Sequence, residues 1–136
     1  MNLLYLAHRI PYPPNKGDKL RAFRQIEHLS KRHDVWCACF VDDPADQRFA
    51  SDLQKYCHEL AAIPLSRRRA TARGLIGLAL RKSLTESFYD DPAMRSVLQR
   101  WSNADRFDAV LAFSSSMAPY ALRVPAVRRV LDLSDL

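Results

Sequence analysis

Apolar residues fall in short unbroken runs, separated by longer stretches where they recur every three or four positions. Leu3 to Ala7 is the first run and has the length of a fully buried strand. A polar loop follows, His8 to Gly17, in which Pro11, Pro13 and Pro14 forbid helix. Asp18 is the expected N-cap of a helix over about 19–32, with Leu20, Phe23, Ile26 and Leu29 as its apolar stripe. Val35 to Val41 is a second buried strand. Asp43-Pro44 opens another helix, Asp as cap and Pro at the first helical position, with Phe49, Leu53 and Tyr56 facing inward. Glu59 to Leu65 reads as a third strand. Asp91-Pro92 repeats the helix-start pair, and Met94, Val97, Leu98 and Trp101 form that helix's apolar face. Phe107 to Phe113 is a fourth strand. Ser114 to Ser116 ends it and caps a short helix through Tyr120, and Arg129 to Leu133 starts a fifth strand. Buried strands alternating with helices predict an α/β domain, a doubly wound Rossmann-like parallel sheet covered on both faces. The chain stops just after a strand, so the expectation is a piece of something longer.

Composition narrows the class. The 136 residues, 48% of them apolar, suit a single domain over 1–136 with one sizeable core. With Gly at 3 and no low-complexity tract, collagen-like and disordered readings are excluded. No apolar run approaches the ~18 residues of a spanning helix, and the N-terminus lacks a basic signal-peptide region, so a cytoplasmic location is expected. Cys37 and Cys39 lie two apart on one strand, about 7 Å, too far for a disulfide. No C-x-x-C pair exists, so reduced thiols and no metal site are expected.

The net charge of +6 favours an anionic partner. Nucleic acid is not expected, because no recognition motif appears and the aromatics sit at core spacing. In open α/β sheets ligands bind beyond the carboxyl ends of the strands, which directs attention to the loop after the first strand. It ends Asn15-Lys16-Gly17-Asp18-Lys19-Leu20-Arg21. Gly17 admits a positive φ and a close ligand approach, the helix N-terminus presents free amides, and Lys16, Lys19 and Arg21 add charge. A diphosphate-bearing ligand fits that chemistry. Neither G-x-G-x-x-G nor a P-loop is present, and a plain turn with solvated charges fits the pattern equally. His8, closing the first strand on the same side, reads as a structural or solvated residue, with contact to a substrate hydroxyl as the other reading.

The stretch His8-Arg9-Ile10-Pro11-Tyr12-Pro13-Pro14-Asn15-Lys16-Gly17-Asp18-Lys19-Leu20-Arg21 after a buried strand resembles the N-terminus of family 4 glycosyltransferases. It is most similar to the sugar transferases of bacterial exosortase (PEP-CTERM) exopolysaccharide systems, whose second strand and turn also look like Phe40-Val41-Asp42-Asp43-Pro44-Ala45-Asp46. The resemblance implies a GT-B fold of two Rossmann-like domains, of which this chain is the N-terminal, acceptor-side half. It implies a retaining transfer of sugar from a nucleotide-sugar to a carbohydrate or lipid-linked acceptor, without a bound metal or other cofactor. The donor-binding C-terminal domain is absent, so the fragment alone is not expected to be competent, and self-association through the surface left bare is expected. By resemblance His8, Lys16, Gly17, Asp18 and Arg21 line the cleft. Ser114 and Ser115 stand where many family members carry a histidine, and Asp132 and Asp135 fall where they carry acidic residues near the cleft. The reading from another class is a non-catalytic, flavodoxin-like module that binds an anion.

Between Ser66 and Ser83 the chain is different. Arg67, Arg68, Arg69, Arg73, Arg81 and Lys82 flank Leu75-Ile76-Gly77-Leu78-Ala79-Leu80. Such a basic amphipathic segment, weakened as a helix by Gly74 and Gly77, either lies on an anionic membrane or covers the sheet with its leucines. Covering the sheet is slightly favoured.

Overall fold

A computed structural model describes residues 1–15, 17–82 and 84–133, so the expectations for Lys16 and Asp135 lie outside the described residues. Its strands are β1 (Asn2–Ala7), β2 (Asp34–Val41), β3 (Glu59–Pro64), β4 (Phe107–Phe113) and β5 (Ala126–Asp132). They form one parallel sheet in the order β3-β2-β1-β4-β5. The helices are α1 (Gly17–Ser30), α2 (Ala50–Gln54, after a 3₁₀ turn over Pro44–Phe49), α3 (Arg67–Ala79), α4 (Leu84–Phe88), α5 (Pro92–Ala104) and α6 (Ala118–Arg123). This is the predicted doubly wound α/β sheet, with the strand order of dinucleotide-binding folds rather than the 2-1-3-4-5 of flavodoxin-like ones.

Alternation along the strands divides the core. Leu4, Leu6, Trp36, Ala38, Phe40, Val110 and Ala112 face one side and meet Ala70 of α3, Met94, Leu98 and Trp101 of α5, and Tyr120 of α6. Tyr5, Ala7, Cys37, Cys39, Val41 and Phe113 face the other and meet Ala22, Phe23 and Ile26 of α1 and Leu53 of α2. All three cysteines are free, and hydrogen bonding with Cys39 and Cys57, followed by burial, holds the Cys37 thiol well above its ordinary pKa. The expected caps form at Asp43 and Asp91, whose carboxylates accept from Ala45 and Ala93 amides at 3.0 and 2.8 Å.

Helix α1 departs from its predicted stripe. Lys19, Ala22, Phe23 and Ile26 are buried, whereas Leu20 is exposed. A strict three-residue spacing drifts about 60° around a helix at each step, so Leu20 and Leu29 cannot share a face. Lys19, only 5% exposed, carries its ammonium to Asp46 at 3.0 Å and ties α1 to the turn before α2.

Helix α3 departs further. Its buried residues are Ala70, Gly74 and Gly77, so the leucines do not cover the sheet. The glycines that weaken it as a helix are where α4 packs. A Cβ on Gly77 would overlap the Ser87 hydroxyl and stand 2.5 Å from Ser87 Cβ. The helix ends in a Schellman motif, with the Lys82 amide on Gly77 carbonyl at 2.7 Å and the Arg81 amide on Leu78 carbonyl at 3.0 Å. Arg81 therefore takes a left-handed φ of 61°, a position usually given to glycine. No described helix is long and apolar enough to cross a membrane.

Strand β5 starts three residues before its predicted place, because pairing with β4 begins at Phe107↔Ala126. It is one of the two edge strands, and Val127, Val130 and Leu131 leave both of its faces apolar and exposed.

Two outcomes are expected. Gly77→Ala improves helix propensity by about 1 kcal/mol yet should destabilise the domain by about 2 kcal/mol net, read from urea unfolding, because α4 must move away. Static light scattering should show mass rising above 15.6 kDa with concentration, as exposed β5 edges pair; a constant monomer mass would mean that the edge is self-protected.

Candidate functional site at the carboxyl ends of β1 and β2

After β1 the chain turns to one side to build β2 and β3, then returns to add β4 on the other. The switch point therefore lies between β1 and β4, and the loops leaving their carboxyl ends meet there. His8 and Arg9 leave β1 directly. The His8 ring stacks on Phe113, the last residue of β4, at 6.2 Å, and stands edge-on to Tyr89 at 6.2 Å. Its Nε2 is 3.8 Å from an Asp18 carboxylate oxygen.

Arg9 donates to Asp18 at 3.1 Å from one terminal nitrogen and to Asp42 at 3.3 Å from the other. One guanidinium thus joins the first turn of α1 to the residue that follows β2. Arg67, opening α3, approaches the same Asp42 oxygen at 3.8 Å. Burial pushes the Asp18 carboxyl up, but Arg9, the Lys19 amide and His8 together hold it below the usual aspartate range. Burial first, then the Asp42 charge, raises the Tyr89 phenol, which stays protonated near neutrality.

A cavity of about 420 Å³ opens on this cluster, lined by His8, Arg9, Asp42, Arg67, Thr71, Phe88 and Tyr89. It offers aromatic walls, two guanidiniums and a carboxylate, so it can both donate to and accept from hydroxyl groups.

The predicted anion cradle at α1 is different in detail. Gly17 opens α1 with nothing within 4 Å of its would-be Cβ, so close approach is available. No described glycine has positive φ, and that rationale for Gly17 falls. Asp18 is the second helical residue rather than the cap. The gap between His8, Arg9, Asp18 and Lys19 is too tight for water. Lys19 points to Asp46, and Arg21 pairs with Asp132 at 3.2 Å. The described cations at this end are each matched by a carboxylate. The polar opening lies one loop over, towards α3.

Ser114 is buried, with φ 91° and ψ 142°, a conformation that L-residues rarely adopt. Its amide donates to Asp132 carbonyl at 2.9 Å, and its hydroxyl lies 2.8 Å from that of Ser116. Ser115 is half-buried in the turn that follows. Strain of about 1–3 kcal/mol is thus held where β4 ends at the switch point.

Of the basic segment, Arg67, Arg68, Arg69, Arg81 and Lys82 are exposed. Arg73 is not: it turns inward, donating to Phe88 carbonyl at 3.1 Å and lying 3.8 Å from Asp91. One helical turn separates Arg69 from Arg73, which moves Arg73 towards the buried edge. Asp42, Thr71, Phe88 and Tyr89 were not among the expected site residues. Asp42 directly follows β2, so the carboxyl-end rule would have found it. Nothing in the sequence marks Tyr89, which the short α4 delivers.

Compared with models of known families, with curated proteins and with solved structures, the chain has no match.

Lowering the pH should remove the contribution of the Arg9–Asp18 pair. Asp18 has a depressed folded pKa, so its stabilisation is complete above about pH 4, the unfolded aspartate value, and is lost as pH falls through the lower folded value. Asp18→Asn should lower the urea midpoint at pH 7 but flatten its fall in the window below pH 4; parallel pH profiles for variant and parent would contradict this.

Proposed function

We propose that this domain is the acceptor-side half of a GT-B-type, retaining glycosyltransferase of exopolysaccharide synthesis, acting on the cytoplasmic side of a membrane. Its acceptor is a carbohydrate or a lipid-linked sugar, and its donor is a nucleotide-sugar. What supports the reading is the resemblance of the His8–Arg21 loop, together with the cavity that this loop opens at the switch-point end of the sheet. The single observation that carries it is that Tyr89 lines the same cavity as the Arg9–Asp42 pair. A sugar ring presents an apolar face of C–H groups and a rim of hydroxyls. An aromatic wall takes the first, and a guanidinium–carboxylate pair takes the second.

In this reading Gly17 is where the donor's phosphates come closest, since nothing lies within 4 Å of a side chain built there. The charge that develops on the leaving diphosphate is met by basic side chains, a form of electrostatic stabilisation. A second α/β domain supplies most of the donor contacts, and no residue of this chain is assigned as a catalytic base. His8, held between Phe113 and Tyr89, orients an acceptor hydroxyl, and the Ser114–Ser115 turn borders the donor side.

Amide NMR titration with oligosaccharides should move the signals of His8, Asp42 and Tyr89, and Tyr89→Ala should weaken that binding about tenfold. Silence at these residues with every carbohydrate would overturn the acceptor assignment. Gly17→Val should leave the fold intact and weaken binding of a nucleoside diphosphate sugar; unchanged binding removes Gly17 from the site.

A further inference from the structure

Helices α5 and α6 cover the face of the sheet opposite α1, and a cleft of about 360 Å³ lies between them. Small-molecule sites run to roughly 300–1,000 Å³, so it has the size of one. Leu98, Tyr120 and Val124 are its buried apolar lining. Arg95, Gln99 and Ser102 recur at i, i+4 and i+7 along one face of α5, with Asn103 beside them, and Arg123 joins them from α6. Among the described residues, the lining holds two guanidiniums and no carboxylate. Arg123 stands in the last turn of α6, where a cation ordinarily answers the helix carbonyls. Here Arg129 takes that place, donating to the Ala121 carbonyl at 3.0 Å and to the Val124 carbonyl at 2.7 Å. Arg123 is left exposed at the cleft.

The cleft is linked to the cavity of the candidate site through Tyr120. That side chain lines the cleft, and its hydroxyl donates to the Tyr89 carbonyl and accepts from the Asp91 amide at 2.9 Å. Burial pushes the Tyr120 phenol up to about 12, so the proton it donates stays in place near neutrality. Arg95, on the other side of the cleft, pairs with Asp90. Both ties hold the turn 89–91 between α4 and α5, and that turn delivers Tyr89 to the cavity. The Arg95–Asp90 pair is partly exposed, so an anion in the cleft competes with Asp90 for Arg95 at little cost.

We propose that this cleft is a second binding site, for a small organic phosphate of the size of a nucleoside monophosphate, and that its occupation loosens the turn carrying Tyr89. The apolar lining takes the ring of such a ligand, the amides of Gln99 and Asn103 take its polar edge, and Arg95 and Arg123 take its phosphate. A bare inorganic anion uses the guanidiniums alone. Once Arg95 turns to the phosphate, Asp90 loses its partner and the turn is less firmly held. Resting on the acceptor reading above, this makes the cleft a negative regulator of acceptor binding; the phosphate site itself does not depend on that reading.

Amide NMR titration of the full chain with adenosine monophosphate, uridine monophosphate and inorganic phosphate tests the site. At least one nucleotide should move the signals of Gln99, Ser102 and Asn103 with a Kd of about 1 mM or tighter, and should bind at least about tenfold more tightly than inorganic phosphate. Arg123→Ala, at an exposed position, should weaken that binding about tenfold while circular dichroism is unchanged. Asp90→Asn should tighten it about threefold, because Arg95 is released. Saturation with the nucleotide should also move the Tyr89 signal and weaken oligosaccharide binding about fivefold. Signals on α5 that ignore both nucleotides, equal affinity for inorganic phosphate, or an Arg123→Ala chain that binds like the parent overturns the site. Nucleotide bound in the cleft with a motionless Tyr89 signal, or an Asp90→Asn chain that binds no more tightly, overturns the coupling. A Tyr89 signal that answers to nucleotide but to no oligosaccharide sinks the acceptor reading alone.

Discussion

The guanidinium of Arg9 spans two carboxylates, one at the head of α1 and one at the end of β2. The loop leaving β1 is tied to β2 by the Ile10 amide on the Phe40 carbonyl at 2.8 Å, and this bridge adds a side-chain constraint. It links Asp18, on the first turn of α1, to Asp42, which Arg67 at the start of α3 also approaches, and so joins two of the loops around the cavity. The pair is partly exposed, so its net worth is modest. Its consequence is geometric rather than energetic: two loops that share a cation move together.

Charge is arranged differently at the two helix N-termini near this edge. At α1 the dipole is answered internally, since Asp18 accepts from the Lys19 amide and Lys19 is drawn off to Asp46. At α3 it is compounded, since three arginines sit on the first turn and, among the described residues, only Arg67 reaches a carboxylate. At an internally neutral end the open backbone at Gly17, rather than side-chain charge, is what a ligand can approach. Ser114 and Arg81 each take a backbone conformation that glycine would hold more easily.

Much of the fold was legible in the sequence. The unbroken runs at β1, β2 and β4 are buried on both faces, and only a parallel sheet asks for that. The Asp43-Pro44 and Asp91-Pro92 pairs start helices because a carboxylate cap and a preset φ are local devices that need no partner elsewhere. The stripe of α1 was less legible, because Lys19 enters the core only if Asp46 comes to meet it. The site was legible on the β1 side, where His8 follows a strand end by definition. It was not legible at Tyr89 or Thr71, which reach the cavity only through the packing of α4 and α3 against the sheet.

Taken alone, the amino-acid order determined which segments are strands and helices, where several helices begin, and that the strands run parallel. Those features rest on hydrophobic period and on caps within a few residues of one another. Only the tertiary structure decided which way α3 faces. Its glycines look like helix breakers until α4 packs against them, and the close approach they allow turns Leu75, Ile76, Leu78 and Leu80 away from the sheet. Burial of a helix face depends on what meets it, and that partner lies beyond the reach of any local pattern.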